Sequence, residues 1–263
     1  MFFQVQSMRA PVQPETLFKI GEFPVTNAMT SGLLVLFILV VFSFLISKKS
    51  QLKPGKFQTV AEVLTEAFLN LIEQLSGSRK FAFKVLPLIG ALFLYIGLSN
   101  LLGLIPVLSE ITYNKTTLFR THTSDFNLTF GLALAMVLLI QTMSIKQAGI
   151  FGHIGKYLKF KEVFLGFKES FGKGMFAIVD FIIGLLDIIS EIAKVISLSL
   201  RLFGNMYAGG VLTAILFGMF ALFLPLPWFF MSLLSAVVQA MVFGSLIAAF
   251  YSLAIDDGSP KTE

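Results

Sequence analysis

The chain has 263 residues, of which 56% are hydrophobic, only 13% are charged and 30 are phenylalanine, with a mean hydropathy of +0.85. A soluble domain carries about a quarter charged residues, so this composition excludes a soluble enzyme, a nucleic-acid module and a disordered tail, and it marks an integral membrane protein. The net charge of +5 therefore bears on loop topology, and the absence of cysteine removes disulfides, thiolate metal sites and thiol nucleophiles.

Residues 1–24 lack the basic-then-apolar layout of a signal peptide and read as an N-terminal segment. A hydrocarbon core of about 30 Å needs about 20 apolar residues in a helix. Charge-free stretches of that length occupy 25–47, 85–109 and 126–145, which predicts three transmembrane helices within 25–145. Between the first two, residues 57–75 place Val60, Val63, Leu64, Phe68, Leu71 and Leu75 at helical spacing, with Glu62, Glu66 and Glu73 elsewhere. That pattern, introduced by Pro54-Gly55, predicts an amphipathic helix lying on the membrane surface.

Basic residues set the orientation. Lys48, Lys49, Lys53, Lys56, Arg79, Lys80 and Lys84 lie between the first two spans, and Lys146, Lys156, Lys159, Lys161, Lys168 and Lys173 lie in the basic segment 146–175. The N-terminal segment has only Arg9 and Lys19, and the 110–125 loop only Lys115 and Arg120. The positive-inside rule puts the rich segments in the cytoplasm and the N-terminus outside. The tail, 256–263, then ends in the cytoplasm. His122 and His153 both fall in expected loops, which speaks against a histidine metal cluster.

Residues 176–255 are read as a hairpin of two long, strongly tilted membrane helices, turning near 223–228 at Pro225, Pro227 and Trp228. Its first arm, 176–222, would be roughly 70 Å long at 1.5 Å per residue. An arm of that length is either broken, with Gly184 as the candidate, or tilted far from the membrane normal. The fold class is thus an all-α integral membrane protein: about three transmembrane helices, a surface helix and the tilted hairpin.

On the first arm sit Asp180, Asp187, Glu191, Lys194, Arg201 and Asn205, spaced by seven, four, three, seven and four residues. At about 100° per residue they share one narrow face, flanked by Ser190 and Ser197. A charge inside a membrane segment costs about 3 kcal/mol, so the stripe faces water, a partner or itself. One reading is ion pairing of Asp187 and Glu191 with Lys194, which holds helices together. Arg201 is different. It precedes an uncharged run, 202–255, and an arginine cannot shed its charge. A permanent cation without an acid at hand in its own helix implies an anion from another chain.

The stretch SLSLRLFGNMYAGG (197–210), followed by VVQAMVFGSLIAAFYSLAI (237–255), closely resembles subunit a of the F-type ATP synthase. KPGKFQT (53–59), NLLGLIP (100–106) and SDFNLT (124–129) agree with that family in order and spacing. The resemblance implies a stator beside a rotating ring of c subunits, each with a membrane-embedded carboxylate. Two offset aqueous half-channels would carry protons to and from the ring. The family's essential arginine aligns with Arg201, which would favour the ionised ring carboxylate and stop protons short-circuiting between the channels.

Ser197, Asn205, Gln239 and Asn100 match polar positions of the family. For Asn205 and Gln239 the alternative is helix-to-helix hydrogen bonding, worth about 1 kcal/mol. Gly210, Ser232 and Gly103 stand where many members carry ionisable groups, so water, Asn205, Ser232 and Gln239 would serve the inlet. Asp125 is either at the inlet's mouth or a cap on the third span. Asp187 and Glu191 would guide protons out on the cytoplasmic side.

The resemblance further implies partnership with the c-ring, b-type peripheral stalk subunits and the rest of the complex within a lipid bilayer. It implies no nucleic acid, cofactor or metal, and no bond-making chemistry, since the chain has no phosphate-binding glycine loop. The coupling ion, proton or sodium, is selected chiefly by the c subunits. The expected location is a bacterial inner (plasma) membrane, with an organellar inner membrane as the alternative. A secondary transporter would show duplicated halves and paired broken helices, and neither is present. A purely structural subunit would tolerate loss of the Arg201 charge.

Overall fold

A computed structural model describes residues 13–49, 51, 55–105, 111–113, 116–157, 171–219 and 225–256. Six helices dominate: α1 (Asn27–Lys49), α2 (Lys56–Ser76), α3 (Arg79–Gly103), α4 (Phe126–Tyr157), α5 (Phe171–Met219) and α6 (Pro225–Asp256). The protein is an all-α integral membrane protein. Among the described residues, four helices are long and apolar enough to cross a membrane, over Asn27–Lys48, Arg79–Gly103, Phe126–Lys146 and Leu226–Ala254. The second begins six residues earlier than the charge-free window, because Ser78 accepts a hydrogen bond from the Phe81 amide and starts the helix there.

Two small antiparallel hairpins were not anticipated from the sequence. β1 (Thr16–Ile20) pairs with β2 (Phe23–Thr26), and β3 (Thr112–Tyr113) pairs with β4 (Thr116–Thr117). The strands are too short for an alternating pattern to stand out. The expected turn near 223–228 is in part replaced by helix: α6 starts at Pro225, a position proline suits because its missing N–H has no partner in a first turn anyway. Residues 220–224 lie outside the described residues, as do Lys53 and Pro54 of the 53–59 motif.

The chain divides into two compact units, Met1–Thr129 with Leu200–Ala248, and Phe130–Ser199 with Ala249–Glu263. In the first, Ala82, Val85, Ile89, Leu92 and Ile96 form a buried seam along α3 at alternating steps of three and four. Small residues recur every fourth position on α6, at Ala236, Ala240, Gly244 and Ala248. A Cβ at Gly97 would lie 3.6 Å from Ala240, and one at Gly244 would lie 3.6 Å from Ile89. Lipid tails are as apolar as leucine, so helices in a membrane gain by close approach, and small residues permit it.

α2 packs its second half on α3 through Phe68, Leu69 and Ile72, with the Phe68 and Phe93 rings 4.1 Å apart. Val60, Val63, Leu64 and Leu75, the apolar face read from the sequence, stay exposed. The apolar face is therefore divided, Phe68 turned to α3 and Val60, Val63, Leu64 and Leu75 left outward. Gly77, at φ 68°, ends it. On α1, Leu33, Leu36, Phe37, Val40 and Phe44 are exposed, as expected of a lipid-facing side.

In the second unit, Ala133, Met136, Val137 and Ile140 of α4 are buried. α4 is interrupted at Gly149, whose φ of 75° and ψ of 162° suit only glycine. Beyond the break, His153 Nδ1 lies 3.2 Å from Ser144 Oγ, and the Tyr157 hydroxyl donates to Gln141 Oε1 at 3.2 Å. His153 is thus helical, not in a loop as its basic surroundings suggested. α5 runs 49 residues without a break, about 74 Å at 1.5 Å per residue. Gly184 does not interrupt it.

Candidate functional site

In the first unit the 117–125 loop is laid against the start of α1 and the end of α3. Asn27 Nδ2 donates to the Thr117 carbonyl at 3.2 Å, Thr30 Oγ1 to the Leu118 carbonyl at 3.1 Å, and the Arg120 amide to Ser31 Oγ at 3.0 Å. Thr123 Oγ1 donates to Asn100 Oδ1 at 2.7 Å. Asp125 caps α4, its Oδ1 accepting from the Asn127 amide at 3.0 Å.

This loop closes one wall of a cavity of about 890 Å³. Glu15, Ser31, Ser99, Gly103, Arg120, His122 and Ser124 line it from one side, and Asn205, Tyr207, Gly210, Thr213, Trp228, Ser232 and Ser235 from α5 and α6. Ser235 Oγ donates to Asn205 Oδ1 at 2.9 Å, and Trp228 Nε1 to Thr213 Oγ1 at 2.9 Å. These two bonds tie α5 to α6 across the cavity's inner wall. Burial lowers the basicity of the Arg120 guanidinium, an effect opposed chiefly by Asp125.

Buried polar atoms collect around this space. Asn27 Oδ1, Asn100 Nδ2, His122 Nε2, Ser232 Oγ and Gln239 Nε2 are buried and have no hydrogen-bond partner among the described residues. Buried polar groups are costly unless paired, by the chain, by water or by a partner. Arg201 lies one helical turn from Asn205 and is exposed, beside the half-exposed Leu200. It makes no ion pair among the described residues. A cation on an apolar surface calls for an anion, and the described residues supply none.

In the second unit, Lys194 Nζ donates to Glu191 Oε1 at 2.6 Å, with both side chains about a quarter exposed, and the ammonium sits 4.8 Å from the Phe250 ring centre. Glu191 and Lys194 therefore neutralise each other, while Asp187, the other acid of the pairing reading, makes no ion pair among the described residues. Asp187 is half-buried, while Asp180 and Ser197 are exposed.

Of the residues singled out from the sequence, the cavity brings together Asn205 and Ser232, along with Gly210 and Gly103. Arg201, Gln239, Asn100 and Asp125 belong to the same unit but do not line it; Ser197, Asp187 and Glu191 belong to the other unit. The sequence reading missed Glu15, Ser99, His122, Thr213 and Ser235. Ser99 and His122 adjoin two recognised motifs, at 100–106 and 124–129, so their neighbourhood was the available signal. The two glycines differ. A Cβ at Gly103 would clash with the Thr121 side chain, whereas one at Gly210 meets nothing within 4 Å.

The family model described as ATP synthase A chain matches residues 28–252. The ATP synthase subunit a of Desulforamulus reducens is 35% identical over 82% of this chain and 74% of its own length. That of Psychromonas ingrahamii is 35% identical, covering 86% and 82%, and that of Mycobacterium bovis is 31% identical, covering 88% and 87%. The chain belongs to the subunit a family of F-type ATP synthases. Within that family it is a multi-pass, ion-translocating subunit of the membrane sector. The matched region takes in Arg201, Ser232 and all of the loop from 111 to 125, and it leaves out Glu15 and the β1–β2 hairpin.

Proposed function

We propose that the cavity is the inlet half-channel of the stator, open to the extracytoplasmic side, and that Arg201 is the electrostatic gate between it and an outlet on the cytoplasmic side. Protons pass through the cavity, by Ser232 and Asn205, to a carboxylate on the c-ring. As that carboxylate comes round to Arg201 it is held ionised, because an opposite charge within a few ångströms lowers a carboxylate's pKa. The proton it gave up leaves by the cytoplasmic side, and the positive charge of Arg201 repels protons that would cross directly. Asp187 is the carboxylate available to the outlet, since Glu191 is held by Lys194. The c-ring, the b-type stalk and the remaining subunits are the partners, in a bacterial inner membrane with the N-terminus outside. The subunit itself makes and breaks no covalent bond.

The observation that carries this reading is the exposed Arg201, without an ion pair among the described residues and one turn from Asn205, which lines a cavity rimmed by polar atoms that have no partner among those residues. Those atoms support a hydrated path, because water satisfies buried donors and acceptors at little cost. The absence of native cysteine allows a clean test in the whole complex. Ser232→Cys and Asn205→Cys should react with silver ions supplied on the extracytoplasmic side, and the reaction should block ATP-driven pumping. Leu36→Cys, on the lipid-facing side of α1, should stay inert, because a thiol in hydrocarbon does not ionise. Unreactive thiols at both cavity positions would refute the inlet assignment.

A further inference from the structure

We propose that His122 is the proton-relay residue of the inlet cavity. This rests on the inlet reading above and assigns a proton-exchanging group to the loop wall of the cavity, facing α5 and α6. Gly103, Gly210 and Ser232 line the cavity without an ionisable atom. The imidazole of His122 lines it from the opposite wall and is 1% exposed. Its Nδ1 lies 2.6 Å from Ser99 Oγ, its ring centre is 4.8 Å from that of Tyr95, and its Nε2 is buried without a partner.

A neutral imidazole has one nitrogen with a proton and one without. It can take a proton at the free nitrogen and release one, returning to its starting charge. A proton from cavity water adds to the unprotonated nitrogen; the imidazolium so formed gives one proton to the next water towards α5. Nothing is oxidised or reduced, and one proton enters for each that leaves. The other ionisable groups are Tyr95 of α3 against the ring, Arg120 on the same loop, Tyr207 on α5 and Glu15 before β1 on the cavity lining, and Asp125, which acts on Arg120. Burial lowers the imidazole to about 4, so the ring stays neutral at physiological pH and passes protons on without storing them. Ser99 orients the ring, as a hydrogen bond at one nitrogen fixes the role of the other.

A purely structural role, in which Tyr95 and Ser99 only hold the ring in place, is distinguished by titration and rescue. In the whole complex in vesicles, His122→Gln cannot take up and release a proton. At equal assembly, ATP-driven proton pumping should fall about tenfold or more. Gly210→Glu, which puts a carboxylate where a side chain meets open space, should restore part of the rate to the His122→Gln complex. Added imidazole should do the same for His122→Gly. Ser99→Ala keeps the imidazole but removes the hydrogen bond that orients it, and should shift the pH profile of pumping, which gives a readout even where His122 variants assemble poorly. Wild-type pumping by His122→Gln, a deficit that neither rescue relieves, or an unshifted Ser99→Ala profile would overturn the relay. Silver reactivity of Ser232→Cys in the same membranes separates the two proposals: a reactive thiol beside normal His122→Gln pumping defeats the relay alone, and an unreactive one defeats the inlet itself.

Discussion

All the buried polar side-chain atoms that lack a partner among the described residues lie in the first unit. Around the buried part of the second, Lys194 meets Glu191 at 2.6 Å, Ser144 meets His153, and Tyr157 meets Gln141. In the first, the Arg201 charge and five buried polar atoms (on Asn27, Asn100, His122, Ser232 and Gln239) find no partner among the described residues. Both sets cost free energy to place in a membrane. Polar groups that the chain satisfies itself act as glue, and removing them should cost stability. Groups left unsatisfied depend on water or another subunit, and removing them should cost transport while assembly survives.

The largest effect expected concerns the two glycines at the cavity. Gly103→Asp drives a side chain into Thr121 and should abolish accumulation of the subunit in membranes, whereas Gly210→Glu should accumulate normally; immunoblots of purified complex decide it. Equal accumulation of both would show that the loop yields easily. Acid comes next. The His122 value in the folded loop, about 4, lies below the ordinary value of about 6.5, so the unfolded loop binds the extra proton between those pH values. Loop packing is then fully stable above about 6.5 and loses on the order of 3 kcal/mol as pH falls towards 4. Limited proteolysis of the loop against pH should show this loss, and His122→Gln should flatten it.

On the glue side, Lys194→Met leaves Glu191 charged and uncompensated and should destabilise the subunit by on the order of 2 kcal/mol. The double variant Glu191→Gln with Lys194→Met should recover much of that, read from thermal melting of the complex. If the two losses simply add, the pair is not coupled. The smallest effect is that of Trp228→Phe, which removes the bond to Thr213 and should cost about 1 kcal/mol in the same assay.

Much of this was legible in the sequence because membranes enforce simple rules. Spanning lengths and the charged stripe follow from hydropathy and helical spacing, and the motif at 197–210 carried the family and Arg201; Pro225 and Pro227 pointed to a turn, whereas they already belong to α6. The cavity was only half legible. Asn205, Ser232 and Gly210 came from helix periodicity and motif position, but Ser99 and His122 meet across 23 residues of chain, and no local pattern encodes a loop folding back on a helix end. The short hairpins escaped for the same reason. The helical placement of His153 escaped because Gly149, a helix breaker by composition, here redirects the chain and lets a second helical stretch follow.

The most direct test of Arg201 as the gate is ATP-driven acidification of inverted vesicles holding the whole complex, with Arg201→Ala compared with wild type at equal assembly. The expected result is loss of pumping by a complex that remains fully assembled, because the exposed cation serves transport and holds nothing together. Coupled pumping at the wild-type rate by the Arg201→Ala complex would contradict it.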